Sequence, residues 1–188
     1  STLACLFGGV QGISGYLQQD DLQDLAAKIK ERIFDTFVHG ARLNKFNNSP
    51  SVDANLLWAS IPFGVFEPTA PVMVNTVKEI EDKLVRDGGG VHRYPTDTYF
   101  GGGLWILLSA WLGWYYTQVG DFTKAKQQRE WIERQQTSAG ELPEQVPNHL
   151  NDQSFYQPWV DKWGEIATPL LWSHAMYLVL DSNIEKGA

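Results

Sequence analysis

Two segments of this chain are apolar on every side, and they alternate with segments that are apolar on one side only. Leu104–Val119 carries no charged side chain, and the run at about 167–181 is apolar nearly all round as well. A helix of that kind must be covered on most of its surface. By contrast, Leu22, Leu25, Ala26, Ile29, Ile33, Phe34 and Phe37 recur at helical spacing, with Lys28, Lys30, Glu31 and Arg32 turned mostly to water. Asp121–Gln136 reads as another outer, amphipathic helix. Alternation of covered and half-covered helices is the pattern of two concentric layers. It predicts an all-α toroid whose inner helices carry their loops to one shared face.

The remaining segments fit that frame. Leu3 to Leu17 reads as a helix in which Gly8, Gly9, Gly12 and Gly15 permit close approach of a neighbour at some cost in helix propensity. Asp20 or Asp21 is expected to cap the second helix. Residues 39–51 read as loop. Ser51 or Asp53 then caps a short apolar helix, Ala54–Ile61, stopped by Pro62. Pro71 opens a helix over 71–86 with Val74, Val77, Ile80 and Leu84 inward, and Gly88, Gly89 and Gly90 end it. Strand character is visible only at Gly90–Arg93. Residues 146–165 lack periodicity and hold Pro147, Pro158, Trp159, Trp163 and Gly164, so they are expected to wall a cleft.

Composition removes several function classes. The net charge of −7 and the lack of any basic tract argue against a nucleic-acid partner. Cys5 is the single cysteine, so neither an intrachain disulfide nor a cysteine metal site can form. A lone thiol fits a reducing, cytoplasmic compartment and leaves secretion open. No apolar run reaches the roughly 18 residues of a membrane span, no signal peptide is visible, and no membrane partner is expected. The chain starts at Ser1 without an initiator methionine, as a processed, truncated or cleaved end would. Eight tryptophans are more than a core of this size needs, so some are expected to line a cleft.

Two passages carry candidate chemistry. Glu144 lies in a Gly/Pro-bounded loop, preceded by Pro143 and followed by Gln145, a short distance before the last apolar run. A carboxylate so placed suits a general base, and a solvated loop glutamate is the plainer alternative. The second passage runs from Arg93 through Tyr94, Asp97 and Tyr99 to Trp105, gathering a fixed cation, phenols and an indole, as sugar-binding clefts do. Arg93 can clamp vicinal hydroxyls or a carboxylate, or simply pair with Asp97. Tyr99, Trp105 and Trp172 are candidate stacking surfaces. Hydrolysis with inversion needs a second carboxyl about 6.5–9.5 Å from the base. Glu141 reads as a solvent-side loop residue, Glu165 as a helix-entrance charge, and Asp97 as an organiser of its own loop. None supplies a convincing acid. His39, His92, His149 and His174 share no metal-ligand spacing, Ser173 lacks a nucleophile elbow, and Gly8–Gly15 follows no strand. No cofactor is implied.

These passages resemble glycoside hydrolase family 15, the glucoamylase and glucodextranase family. Arg93 to Trp105 is similar to that family's arginine–tyrosine–proline loop ending in tryptophan. Pro143-Glu144-Gln145 is similar to its base motif, and Ala167 to Ala175 to its closing inner helix. Val52-Asp53-Ala54-Asn55-Leu56-Leu57 resembles a helix start in these enzymes. The resemblance implies an (α/α)6 barrel with residues 1–188 as its C-terminal half, about helices 6–12, in one catalytic domain. It implies Glu144 as catalytic base, Arg93 as a ligand of the sugar at the cleaved bond, and Tyr99, Trp105 and Trp172 as cleft-lining residues. The implied substrate is an α-glucan or oligosaccharide. The family's acid would lie shortly before Ser1, which implies a second polypeptide supplying the N-terminal half of the barrel.

Overall fold

The computed structural model describes residues 1–47, 49–86 and 88–187. They divide into two compact units, Ser1–Glu79 and Ile80–Ala188.

The first unit opens with an antiparallel helix pair, α1 (Thr2–Leu17) and α2 (Asp20–Phe37). Between them Gln18 turns left-handed at φ 52° and donates its N–H to Ser14. Asp20 and Asp21 lie inside the first turn of α2 rather than capping it; Gln19 holds the cap position without a side-chain bond. Their charges still favour that helix end through its dipole. Of the four α1 glycines, Gly8 is the one against a neighbour, Phe63, while a side chain at Gly9, Gly12 or Gly15 would meet open space. A two-residue hairpin follows, β1 (Val38–His39) with β2 (Arg42–Leu43), where a loop was expected; position 48 of that expected loop lies outside the described residues. Its turn, Gly40 and Ala41, has both φ angles positive, the geometry that matches strand twist. Asp53 caps Ala54–Ala59 by accepting from the Asn55 N–H, but the six residues form a 3-10 rather than an α-helix. Asp53 is also paired with Lys45 at 2.9 Å.

From the first unit, α3 (Pro71–Leu84) continues into the second. Val77, Ile80 and Leu84 face inward as their spacing predicts. The helix stops at Leu84, because Val85–Arg86 pairs as a strand, β3, with β4 (Gly90–His92). Two more strands complete a four-stranded antiparallel sheet in the order β3-β4-β5-β6, with β5 at Leu104–Trp105 and β6 at Gln145–Val146. In register, Val91 faces Trp105, Leu104 faces Val146, and Trp105 faces Gln145. Strands of two residues show no alternation, which is why sequence reading finds the three-residue β4 and misses β3, β5 and β6.

Behind the sheet lies α4 (Ile106–Gln118), covered along nearly its whole surface by α5 (Phe122–Glu133) and α7 (Leu171–Gly187). Leu108 and Leu112 are fully buried there, each worth about 1.5–3 kcal/mol. A methyl at Gly113 would collide with Leu180 and Gln128, so this glycine sets how closely the three helices approach. Asp121 caps α5 through the Lys124 N–H. The stretch 146–165, expected to be irregular, contains a 3-10 turn at Gln153–Phe155 and a helix, α6 (Tyr156–Trp163). Pro158 falls in the first turn of α6, where its missing N–H costs nothing. Helix α7 begins at Leu171, six residues after Glu165, so Glu165 is not at its entrance. Within this unit α7 buries Ser173, Met176, Leu180 and Ile184 as one stripe and leaves Leu171 and Leu178 exposed. No helix among the described residues is long and apolar enough to cross a membrane.

Candidate active site

The sheet fixes where Glu144 stands. Gln145 pairs with Trp105, so Glu144 is the residue just before β6, and its carbonyl accepts from the Ile106 N–H at 3.2 Å. Its own N–H donates to Ala167. On either side, the Leu142 carbonyl accepts from Leu170, the Leu142 N–H donates to Nε2 of His174, and the buried Ser173 hydroxyl donates to the Pro143 carbonyl at 2.7 Å. The Glu144 loop is thus tied to the start of α4, to the segment just before α7 and to α7 itself. Its carboxylate is left to face the loop between β4 and β5.

That loop is organised around Asp97, which is 1% exposed. Arg93 grips it with two parallel bonds, Nε to Oδ2 at 2.9 Å and an Nη to Oδ1 at 2.6 Å. The Tyr99 N–H donates to the same carboxylate at 3.1 Å. Of the two roles open to Arg93 from sequence, pairing with Asp97 is realised. The guanidinium plane also lies over aromatic faces, 4.9 Å from the Trp105 ring centre and 5.4 Å from that of Tyr99. Such cation–π contacts hold Arg93 over the two rings while Asp97 neutralises it. Phe100, Gly101 and Gly102 all have positive φ. At Gly102 a side chain would strike the Asp97 carbonyl. His92, 2% exposed, donates from Nδ1 to the Gly102 carbonyl at 3.0 Å; burial lowers its pKa and so keeps the ring neutral. The histidine is a loop anchor.

Tyr99 joins the two loops. Its hydroxyl donates to Oε2 of Glu144 at 3.3 Å. Its ring stacks on Trp105, with centroids 5.7 Å apart and planes 30° apart. Burial pushes the Glu144 carboxyl above the usual carboxylate range, and the Tyr99 hydrogen bond and the Arg93 charge pull it partly back. Burial, then the negative charge of Glu144, pushes the Tyr99 phenol up, so it stays a donor. A carboxylate of raised proton affinity, held by a phenol beside a cation and an indole, is equipped to take a proton from water.

Arg93, Tyr99, Trp105 and Glu144 therefore come together in one cluster. Trp172 sits on the first turn of α7, about half exposed, with its indole edge-on to Trp111 of α4 at 6.1 Å. Three further residues belong to the site, and of these Asn151 escapes sequence reasoning. Gln145, next to Glu144, donates from Nε2 to the Tyr99 carbonyl at 3.4 Å. Asn151 donates to the carbonyls of Tyr94 and Asp97, stapling 146–165 to the Arg93 loop. Trp159 of α6 lies 4.3 Å from the Tyr99 ring. Proximity to Pro158 and Gly164 in an aperiodic stretch was the available signal for Trp159; nothing local marks Asn151. Among the described residues no group of three His, Cys, Asp or Glu side chains is placed to hold a metal ion.

No family model matches the chain. It is 40% identical over 191 residues to an isomaltose glucohydrolase of Kribbella flavida, across 98% of this chain and 49% of that protein. A glycosidase solved in complex with glucose superposes with a TM-score of 0.94 at 37% identity, over 98% of this chain and 51% of the other. A bacterial glucoamylase complexed with acarbose shares the fold at a TM-score of 0.75 and 20% identity, over 98% and 33%. The chain thus spans about half the length of these more similar relatives, and its helices have the fold of part of an (α/α)6 barrel.

Proposed function

The chain belongs to the glucoamylase-like glycosidases, and from that membership we propose that it bears the general base, Glu144, of an inverting exo-acting α-glucosidase. The observation that supports this reading is the hydrogen bond of Tyr99 to Glu144 within a cluster that also holds Arg93 and Trp105. Glu144 accepts a proton from water as the water oxygen bonds to the anomeric carbon. The glycosidic bond breaks on the opposite face, and the leaving oxygen takes its proton from a carboxylic acid outside these 188 residues. Within them Asp97 is engaged by Arg93, which leaves it unsuited to donate. The acid and the rest of the pocket come from the remaining part of the barrel, as a further segment or a second polypeptide.

The substrate is an α-glucosidic oligosaccharide, with isomaltose the first choice given the relative named for it. The test is glucose release from isomaltose, maltose and trehalose by the native protein and by Glu144→Gln, with the product anomer followed by NMR. β-Glucose appearing first, and turnover lost in the variant, support the reading. α-Glucose first, or turnover retained without Glu144, sinks it.

A further inference from the structure

The aromatic surface of the site does not end at Tyr99. From Trp105, 7% exposed, it passes through Tyr99 to Trp159 of α6, and from Trp159 to Trp163 at a centroid distance of 6.2 Å. Trp159 and Trp163 are four residues apart on one helix and so share a face. Exposure rises along the row, and Trp163 is 64% exposed. The rim around that outer end is polar. The Lys162 ammonium lies 4.6 Å from the Trp163 ring centre, and Gln157 and Asp161 are hydrogen-bonded to each other at 2.7 Å on exposed side chains. Nor is α6 free to drift. Just before it, Asp152 and Asn151 donate their N–H groups to the Gly101 and Gly102 carbonyls, and Tyr156 packs edge-on to Phe100 at 4.8 Å.

We propose that Trp159 and Trp163 form the platform for the departing sugar, so that α6 sets the preference for the leaving group. This rests on the reading of Glu144 as base. A glucosyl unit with its anomeric carbon at Glu144 has its departing residue directed outward, and the row of rings leads outward from Tyr99. Flat apolar faces with charged and amide groups at their edges match a pyranose, which has an apolar ring face and a hydroxyl rim. A protein partner would favour a dry, apolar rim.

The experiment compares two substrates that share the glucosyl unit and differ in what departs: isomaltose, whose leaving group is a sugar, and α-glucosyl fluoride, whose leaving group is a halide. Trp163→Ala is the main variant, since its exposure makes misfolding a small risk, and Trp163→Phe is the conservative control. The expected result is a KM for isomaltose raised roughly fivefold to tenfold relative to that for α-glucosyl fluoride, and restored by phenylalanine. Equal changes for both substrates, or none, overturn the platform. If the unaltered native protein hydrolyses neither substrate, the α-glucosidase reading itself has failed, a result separate from either of those.

Discussion

The Tyr99 hydroxyl donates to Oε2 of Glu144 at 3.3 Å across 45 residues of sequence, making one unit of a loop from each side of the sheet. The bond favours the carboxylate and so opposes the burial that raises its proton affinity. Tyr99→Phe removes that opposition. The acidic limb of kcat/KM, which reports protonation of the base, is expected to move to higher pH while the substrate KM at pH 7 changes less than kcat. A pH–rate profile of glucose release decides it, and a limb that stays put or moves down counts against the coupling.

Glu144→Gln is expected to lower kcat by about 10²–10⁴-fold, the usual worth of a general base. Its effect on stability has the opposite sign. The folded-state pKa lies above the ordinary 4.5, so the stability tied to Glu144 is complete below that value and lost as pH rises through the folded one. The glutamine variant does not ionise. Thermal melts should therefore show it more stable than the parent at pH 7, with the difference shrinking toward pH 4.

Asp97→Asn should cost stability as well as activity. The carboxylate is 1% exposed and accepts two bonds from Arg93 and one from the Tyr99 backbone. Losing the ion pair leaves the guanidinium partly buried beside Tyr99 and Trp105, at a cost of about 2–4 kcal/mol. Arg93→Lys is no remedy, because a point ammonium cannot make the paired bonds. Denaturant midpoints of the two variants measure this, and a loss below ~1 kcal/mol for Asp97→Asn would contradict it.

Ser173→Ala tests the tie between α7 and the loop that carries Glu144. The buried hydroxyl is the donor to the Pro143 carbonyl at 2.7 Å. Its removal should destabilise the fold by about 1–3 kcal/mol, the cost of a buried acceptor losing its donor. It should also lower kcat more than it raises KM, since Glu144 follows directly. Urea unfolding and steady-state kinetics together separate this from a purely structural loss, which would leave the kinetics of the folded fraction unchanged.

Much of this protein is written in local sequence. Leu104–Val119 has no charge to expose, so burial of α4 follows from composition. Asp53 and Asp121 cap the elements that follow them because a short acceptor ahead of free N–H groups bonds them wherever the chain is placed. The candidate cluster of Arg93, Tyr99, Trp105 and Glu144 was legible as residue types in two motifs. What needed the tertiary structure was every relation between segments far apart in the chain. Two-residue strands take their pairing from the partner strand, so β3, β5 and β6 leave no local mark. Helix α6 is eight residues long, too short to stand by its own propensity, and it is held by Tyr99 and Phe100 from elsewhere in the chain. The choice of Tyr99 as the partner of Glu144 was decided by the sheet register that brings their loops together, whereas Arg93 and Asp97 lie four residues apart on one loop and their pairing was already open from sequence. Periodicity and capping act over a few residues, and sequence determines them directly; hydrogen-bond partners and proton affinities at the site depend on distance in space, which only the folded chain sets.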